Sequence, residues 1–67
     1  MRDEFNRCLR RADSHARAFE WAEAGEAYAE AAHLAGMMGM REAAWRAWNS
    51  AGESWRRADV PRRAERA

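Results

Sequence analysis

Residues 21–32, WAEAGEAYAEAA, and residues 41–52, REAAWRAWNSAG, carry related residues twenty positions apart. In each segment an alanine is followed four residues later by an aromatic residue and then by small residues. In a helix these positions share one face, because three- and four-residue steps return to the same side. The repetition predicts stacked helical hairpins whose helices approach one another closely. The aligned pairs are Ala24 with Ala44, Tyr28 with Trp48, Ala31 with Ala51, and Ala32 with Gly52, and Ala64 continues the series.

Length and composition favour one small domain that gains stability from association. A chain of 67 residues buries only about 60% of the surface that its unfolded form exposes, so its core is thin. About a quarter of the residues are alanine, and the bulk must come from aromatic residues and methionine. We therefore expect a protein partner or a second copy of the chain.

The first predicted helix spans about residues 3–18. Its apolar residues recur at three- and four-residue steps, as in an amphipathic helix with one buried stripe. Cys8 is expected to be a buried, unreactive thiol, and as the single cysteine it has no partner for an internal disulfide. The predicted stripe contains Phe5, Cys8, Leu9, Ala12, Ala16 and Phe19.

The second predicted helix spans about residues 21–35. The glycines at 36 and 39 are expected to end it, since glycine readily adopts the left-handed conformation that closes helices. A strip of small residues is expected to let another helix approach closely. The buried stripe is predicted as Trp21, Ala24, Tyr28, Ala31, Ala32 and Ala35, the opposite acidic side as Glu23, Glu26, Glu30 and His33, and the small strip as Ala22, Gly25, Ala29 and Gly36.

The third predicted helix spans about residues 40–58. Asp59, Val60 and Pro61 are expected to end it and to start another, since proline is favoured in a first helical turn and aspartate at the preceding cap. A helical stub over residues 61–67 would follow, too short to be stable without packing. The predicted buried stripe of the third helix is Met40, Ala44, Trp48, Ala51, Trp55 and Ala58.

Two aromatic motifs carry a resemblance to a known superfamily. They are Trp21-x2-Ala24-Gly25-x2-Tyr28 and Trp48-x2-Ala51-Gly52-x2-Trp55, which start 27 residues apart. Residues 18–67 resemble the tetratricopeptide repeat superfamily, whose period is about 34 residues, and most closely its SNAP-like (soluble NSF attachment protein) branch. The resemblance implies an array of helical hairpins that binds protein. A three-helix module of the microtubule interacting and transport type is a related possibility.

Trp45 is the leading candidate for a binding residue. It points about 100° away from the centre of the predicted stripe, in line with Gly52. A tryptophan beside a glycine gap and arginines is typical of the residues that dominate binding energy at interfaces. The alternative is that Trp45 packs against another helix of the same chain. The candidate partner-binding residues are Trp45, Asn49, Gly52, Arg41 and Arg56, with the flexible Met37 and Met38 at the preceding turn.

Glu30 and His33 are the candidate metal ligands. Their spacing matches the motif by which ferritin-like di-iron proteins place a carboxylate and an imidazole on one helix side, but those proteins need two such motifs and two further carboxylates. A solvated acidic surface is the favoured interpretation, so no metal or cofactor is expected. The sequence also lacks a recognisable catalytic triad, a phosphate-binding glycine loop and paired cysteines, which predicts no enzymatic activity and no small-molecule substrate.

Charge is unevenly distributed along the chain. Residues 19–40 carry four glutamates and no arginine, whereas residues 41–67 carry seven arginines and four acidic residues. Alternating sign between adjacent helices suits self-complementary pairing. A basic C-terminal end also offers a contact for phosphate, although the net charge is only +1. Its arginines are Arg56, Arg57, Arg62, Arg63 and Arg66.

These patterns together predict one all-α domain over residues 1–67, with three antiparallel helices and a C-terminal helical stub. We expect it to function as a protein-binding scaffold or small accessory subunit. Two alternatives remain open: assembly with other copies to complete the helical array, and weak nucleic-acid binding through the C-terminal arginines. The sequence shows neither the apolar core of a signal peptide nor a run of about 20 apolar residues, which predicts a cytoplasmic protein without a membrane span.

Overall fold

The computed structural model contains three α-helices joined by two short turns. They are α1 (Arg2–Arg17), α2 (Trp21–Met37) and α3 (Arg41–Arg66). The structure describes the backbone of residues 2–66 and the side chains of residues 2–58. All regular secondary structure in that part of the chain is helical, which confirms the predicted all-α class with three helices.

The two turns close α1 and α2 in the same way. In each, the second residue after the end of the helix has a positive φ, 61° at Phe19 and 75° at Gly39. The next amide donates to a carbonyl five residues back, Glu20 to His15 at 2.8 Å and Met40 to Ala35 at 2.9 Å. This is the Schellman arrangement that satisfies the last carbonyls of a helix. The chain therefore reverses direction twice within a few residues.

Phe19 differs from its predicted place in the buried stripe of the first helix. Its side chain is 76% exposed, because α1 ends at Arg17 and Phe19 takes the left-handed turn position. Glycine fills that position after α2, as predicted for the segment at 36–39. Of the other predicted positions, Phe5, Cys8 and Ala12 are buried, and Leu9 and Ala16 are half-buried.

The three helices run antiparallel, with α2 in the middle. The Tyr28 hydroxyl of α2 donates a hydrogen bond of 2.7 Å to Asp13 in the second half of α1. The Arg57 guanidinium lies 5.0 Å from the centre of the Trp21 ring, so the C-terminal part of α3 passes beside the start of α2. Contacts of α2 with both neighbours are extensive, whereas α1 and α3 barely meet. An open groove is therefore left between the two outer helices.

Alanine forms most of the core. A short side chain lets helix backbones approach closely, and α2 presents alanines toward both of its neighbours. The buried cluster consists of Phe5, Cys8, Ala31, Ala32, Ala35 and Ala47, with Leu9, Leu34, Met38, Met40, Ala43 and Ala44 packed against it.

The buried face of α3 is rotated relative to the predicted stripe. Ala47, Ala51 and Ser54 are buried, whereas Trp48 and Ala58 of the predicted stripe are exposed. Adjacent residues in a helix point about 100° apart, so burying Ala47 turns Trp48 away from the core. Because α2 approaches α3 closely, the small Ala47 occupies the contact between them and the large Trp48 does not.

The small-residue strip of α2 is only partly used inside the chain. Gly25 is buried against Trp55 of α3, but Ala22 and Gly36 are exposed. A Cβ atom added at Gly36 would meet no atom within 4 Å. No helix of the described part of the chain packs against Gly36, because Gly36 lies next to the turn where α2 ends.

The end of α3 also differs from the predicted break. The backbone is helical from Arg41 to Arg66, so residues 61–66 continue α3 and do not form a separate stub. Proline fixes φ near about −65°, which is a helical value, although in a helix interior it removes one backbone hydrogen bond. The arginines, alanine and glutamate around it favour helix. Ala64 and the last three arginines of the basic C-terminal end lie outside the described side chains.

Candidate protein-binding surface

Two tryptophans on α3 are largely exposed to solvent. Trp45 is 67% exposed and Trp48 is 49% exposed. Both turn outward because the alanines of α3 occupy the contact with α2. Tryptophan is usually well buried in a folded chain, so two exposed tryptophans three residues apart on one helix mark a distinct surface. The alternative placement of Trp45 against another helix of this chain is not observed.

A single helix face carries these tryptophans together with most of the predicted binding residues. We define the outer face of α3 as Arg41, Trp45, Trp48, Asn49, Gly52 and Arg56. They recur at three- and four-residue steps and therefore form one strip along the helix. A Cβ atom at Gly52 would meet no atom within 4 Å, so a gap in side-chain cover lies one turn beyond the tryptophans. Sequence reasoning placed Trp48 in the core and so missed it as part of this face.

Charged residues border the outer face of α3. Arg46 lies 3.9 Å from Glu42 and Arg57 lies 3.5 Å from Glu53, both as exposed pairs one turn apart. Such pairs contribute only about 0.3–0.5 kcal/mol. At the N-terminal end, Trp45 lines a shallow and mainly apolar hollow together with Arg41 and Glu42. The face thus combines exposed aromatic side chains with charged side chains that form only weak ion pairs within α3.

The two methionines predicted to join this site lie in different environments. Met37, the last residue of α2, is 61% exposed. Met38 packs against the hydrophobic core, because the turn directs its side chain inward. The structure therefore groups the predicted α3 residues on one surface and assigns Met38 a core contact.

A second concave feature, absent from the sequence prediction, is the groove between α1 and α3. It has a volume of about 270 Å³. Tyr28 lines this groove. Three effects together raise the pKa of Tyr28 to about 12: burial is the largest, and the hydrogen bond to Asp13 and the negative charge of Asp13 add to it. The groove depends on how three helices pack, which no local pattern specifies. Its walls are formed by Phe5, Leu9, Ala43, Arg46, Ala47 and Ser50.

The candidate metal ligands do not form a cluster. Glu30 lies 3.3 Å from the Arg11 guanidinium, and His33 is exposed. The other histidine, His15, lies 2.6 Å from Glu20. Within the described residues, no group of three or more histidine, cysteine or carboxylate side chains is arranged to hold a metal ion.

Cys8 is buried, as expected, and its sulfur lies 3.9 Å from the Arg11 guanidinium. Of the basic C-terminal end, the structure describes the side chains of Arg56 and Arg57. Arg57 contacts both Glu53 and the Trp21 ring, which reduces its availability to phosphate. None of the helices in the described part of the chain is long and apolar enough to cross a membrane.

The outer face of α3 has the composition of an interface, with exposed aromatic side chains, arginines and an adjoining gap. The helical-hairpin arrangement is compatible with the resemblance to tetratricopeptide and SNAP-like repeats. Comparisons with known protein families, curated proteins and solved structures found no match, so membership in that superfamily stays a prediction.

Proposed function

We propose that this protein functions by binding protein through the outer face of α3. The observation that carries the proposal is the exposure of Trp45 and Trp48 on that face. Tryptophan and arginine are the residues most enriched among those that dominate interface energy. Covering two indole rings removes a large apolar area from water, at about 25 cal/mol per Å².

The resemblance to tetratricopeptide and SNAP-like arrays supports the same proposal, because those proteins act as binding scaffolds. The proposal involves no catalytic step, metal or cofactor, and we place the protein in the cytoplasm. Nucleic-acid binding is less well supported, because Glu53 and the Trp21 ring already contact Arg57. The exposed tryptophans, in contrast, are left uncovered by the packing of α3 against α2.

Site-specific photocrosslinking in cells tests the proposal. A photoreactive phenylalanine analogue replaces Trp45, and in a matched control it replaces the exposed Arg10 on α1. We expect a discrete protein adduct from position 45 and none from position 10. Similar diffuse adducts from both positions, or none from either, would overturn the proposal. A second copy of the chain and a different protein are distinguished by the mass of the adduct.

A further inference from the structure

We propose that the occupant of the outer face of α3 is a second copy of this chain, packed antiparallel, with Trp48 of each copy over Gly52 of the other. This inference rests on the proposed binding function of that face and names its partner. It depends on two features of α3: the large Trp48 one helical turn from the gap at Gly52, and the order of charges along the flank of the helix.

The first feature is that a large side chain and a residue without a side chain lie close together on this face. Trp48 and Gly52 are one helical turn apart on the same face. If two copies of α3 run antiparallel about a two-fold axis that crosses the outer face midway between Trp48 and Gly52, Trp48 of one copy meets Gly52 of the other, and the reverse contact forms at the same time. Such reciprocal contacts are the property of a two-fold interface. The open space above Gly52 then receives an indole ring.

The second feature is the charge order on the solvent flank of the same helix. From the N-terminus its charged residues are Glu42, Arg46, Glu53, Arg56 and Arg57, and all five side chains are exposed. The antiparallel register that matches Trp48 with Gly52 places Glu42 near Arg56 of the second copy and Arg46 near Glu53 of the second copy. Both of these facing pairs have opposite sign.

These charges are available for contacts between copies. The pairs within α3, Glu42 with Arg46 at 3.9 Å and Glu53 with Arg57 at 3.5 Å, are long and solvent-exposed, and such pairs are weak. Arg56 makes no ion pair with another described side chain. Complementary charge chiefly selects partner and orientation, so the flank explains why a second copy in antiparallel register is preferred.

The test begins with the association of the full chain, measured by sedimentation equilibrium over a range of concentrations. We expect a monomer–dimer equilibrium. Gly52→Leu fills the gap and should raise the dimer dissociation constant at least about tenfold, equal to about 1.4 kcal/mol. The control is Gly36→Leu, at a helical glycine where an added Cβ also meets no atom within 4 Å. Both changes favour helix, so loss of folding does not explain a difference between them.

A charge exchange tests the orientation. Glu42→Arg and Arg56→Glu should each weaken the dimer several-fold, and the double variant should restore it, because the facing pair is then reversed in sign. Circular dichroism confirms that each variant retains its helices. Failure of the double variant to recover would overturn the antiparallel register.

The other outcomes separate this inference from the proposed function. A chain that stays monomeric at high concentration, with a discrete adduct to a different protein at position 45, overturns the second-copy inference and leaves the binding function standing. A monomeric chain with no adduct overturns both. A dimer as strong in Gly52→Leu as in the original chain overturns the assignment of this surface.

Discussion

The indole ring of Trp55 lies directly against the backbone of Gly25. A Cβ atom at Gly25 would come within 3.0 Å of the Cγ atom of Trp55 and closer still to Cδ1 and Nε1. Glycine thus gives the half-buried ring the space it needs between α2 and α3. This contact joins the two helices at the end opposite their connecting turn, where no loop holds them together.

Replacing Gly25 with alanine should therefore destabilise the fold. Alanine favours helix by about 1 kcal/mol over glycine, but overpacking a tight contact costs about 1–3 kcal/mol. We expect a net loss of about 1 kcal/mol in the free energy of unfolding, measured by urea denaturation followed by circular dichroism. Gly36→Ala is the control and should stabilise, since it meets no neighbour. An equal gain in unfolding free energy for both variants would show that the Trp55 ring can move aside without loss of stability.

Replacing Phe19 with glycine should, in contrast, stabilise the fold. Its φ of 61° is unfavourable for a bulky residue and costs about 1–2 kcal/mol. Phe19→Gly relieves this strain and loses only an edge contact with Trp21, at 6.1 Å between ring centres. We expect a net gain of about 0.5–1 kcal/mol in unfolding free energy. The neighbouring Ala18→Gly variant, at a residue without a positive φ, should show no gain. Equal effects of the two changes would contradict the strain at Phe19.

Periodicity in the sequence predicts the helices and most of the buried alanines. Small and apolar residues at three- and four-residue steps identify Phe5, Cys8, Ala12 and Ala31 as core. The positions in α1 follow from helix geometry alone, because that helix has only one apolar side. Gly39 was likewise predictable, since glycine is the usual residue where a helix closes with positive φ.

The position of Trp48 depends on packing between helices. Residues 47 and 48 are both apolar, so α3 offers two adjacent stripes, and bulk alone favours burying the tryptophan. Close contact with the alanines of α2 selects Ala47 instead. The groove and the Tyr28 hydrogen bond depend on the same relative placement of helices. The turn at Phe19 carries no glycine or proline, which is why a local pattern misplaces that residue.

Alanine substitution of Trp48 and of Trp55 tests which face of α3 is buried. Trp48→Ala should lower the unfolding free energy by less than about 1 kcal/mol, because the side chain is half exposed. Trp55→Ala should cost roughly 2 kcal/mol, below the cost of about 3–5 kcal/mol for a fully buried aromatic residue. Both are measured at low protein concentration, where association between copies contributes little. A larger loss of unfolding free energy for Trp48→Ala than for Trp55→Ala would show that Trp48 belongs to the core and would contradict the rotated face of α3.

The half-buried phenol of Tyr28 and its hydrogen bond to Asp13 predict how stability changes in alkali. The pKa of the phenol is about 12 in the folded chain and about 10 in an unfolded one. Between these values the unfolded chain has lost a proton that the folded chain still holds. The free energy of unfolding should therefore be unaffected by this group below about pH 10 and should fall as the pH rises toward about 12.

Absorbance of tyrosinate measures this directly, because Tyr28 is the single tyrosine. We expect the titration midpoint of the folded protein to lie well above that of the protein in urea. Asp13→Asn removes a charge and a carboxylate acceptor, so it should lower the midpoint only in part, since burial is the larger cause of the raised pKa. Tyr28→Phe should abolish the corresponding loss of stability. A midpoint near about 10, while circular dichroism still reports a folded chain, would show that the phenol is neither buried nor bonded to Asp13.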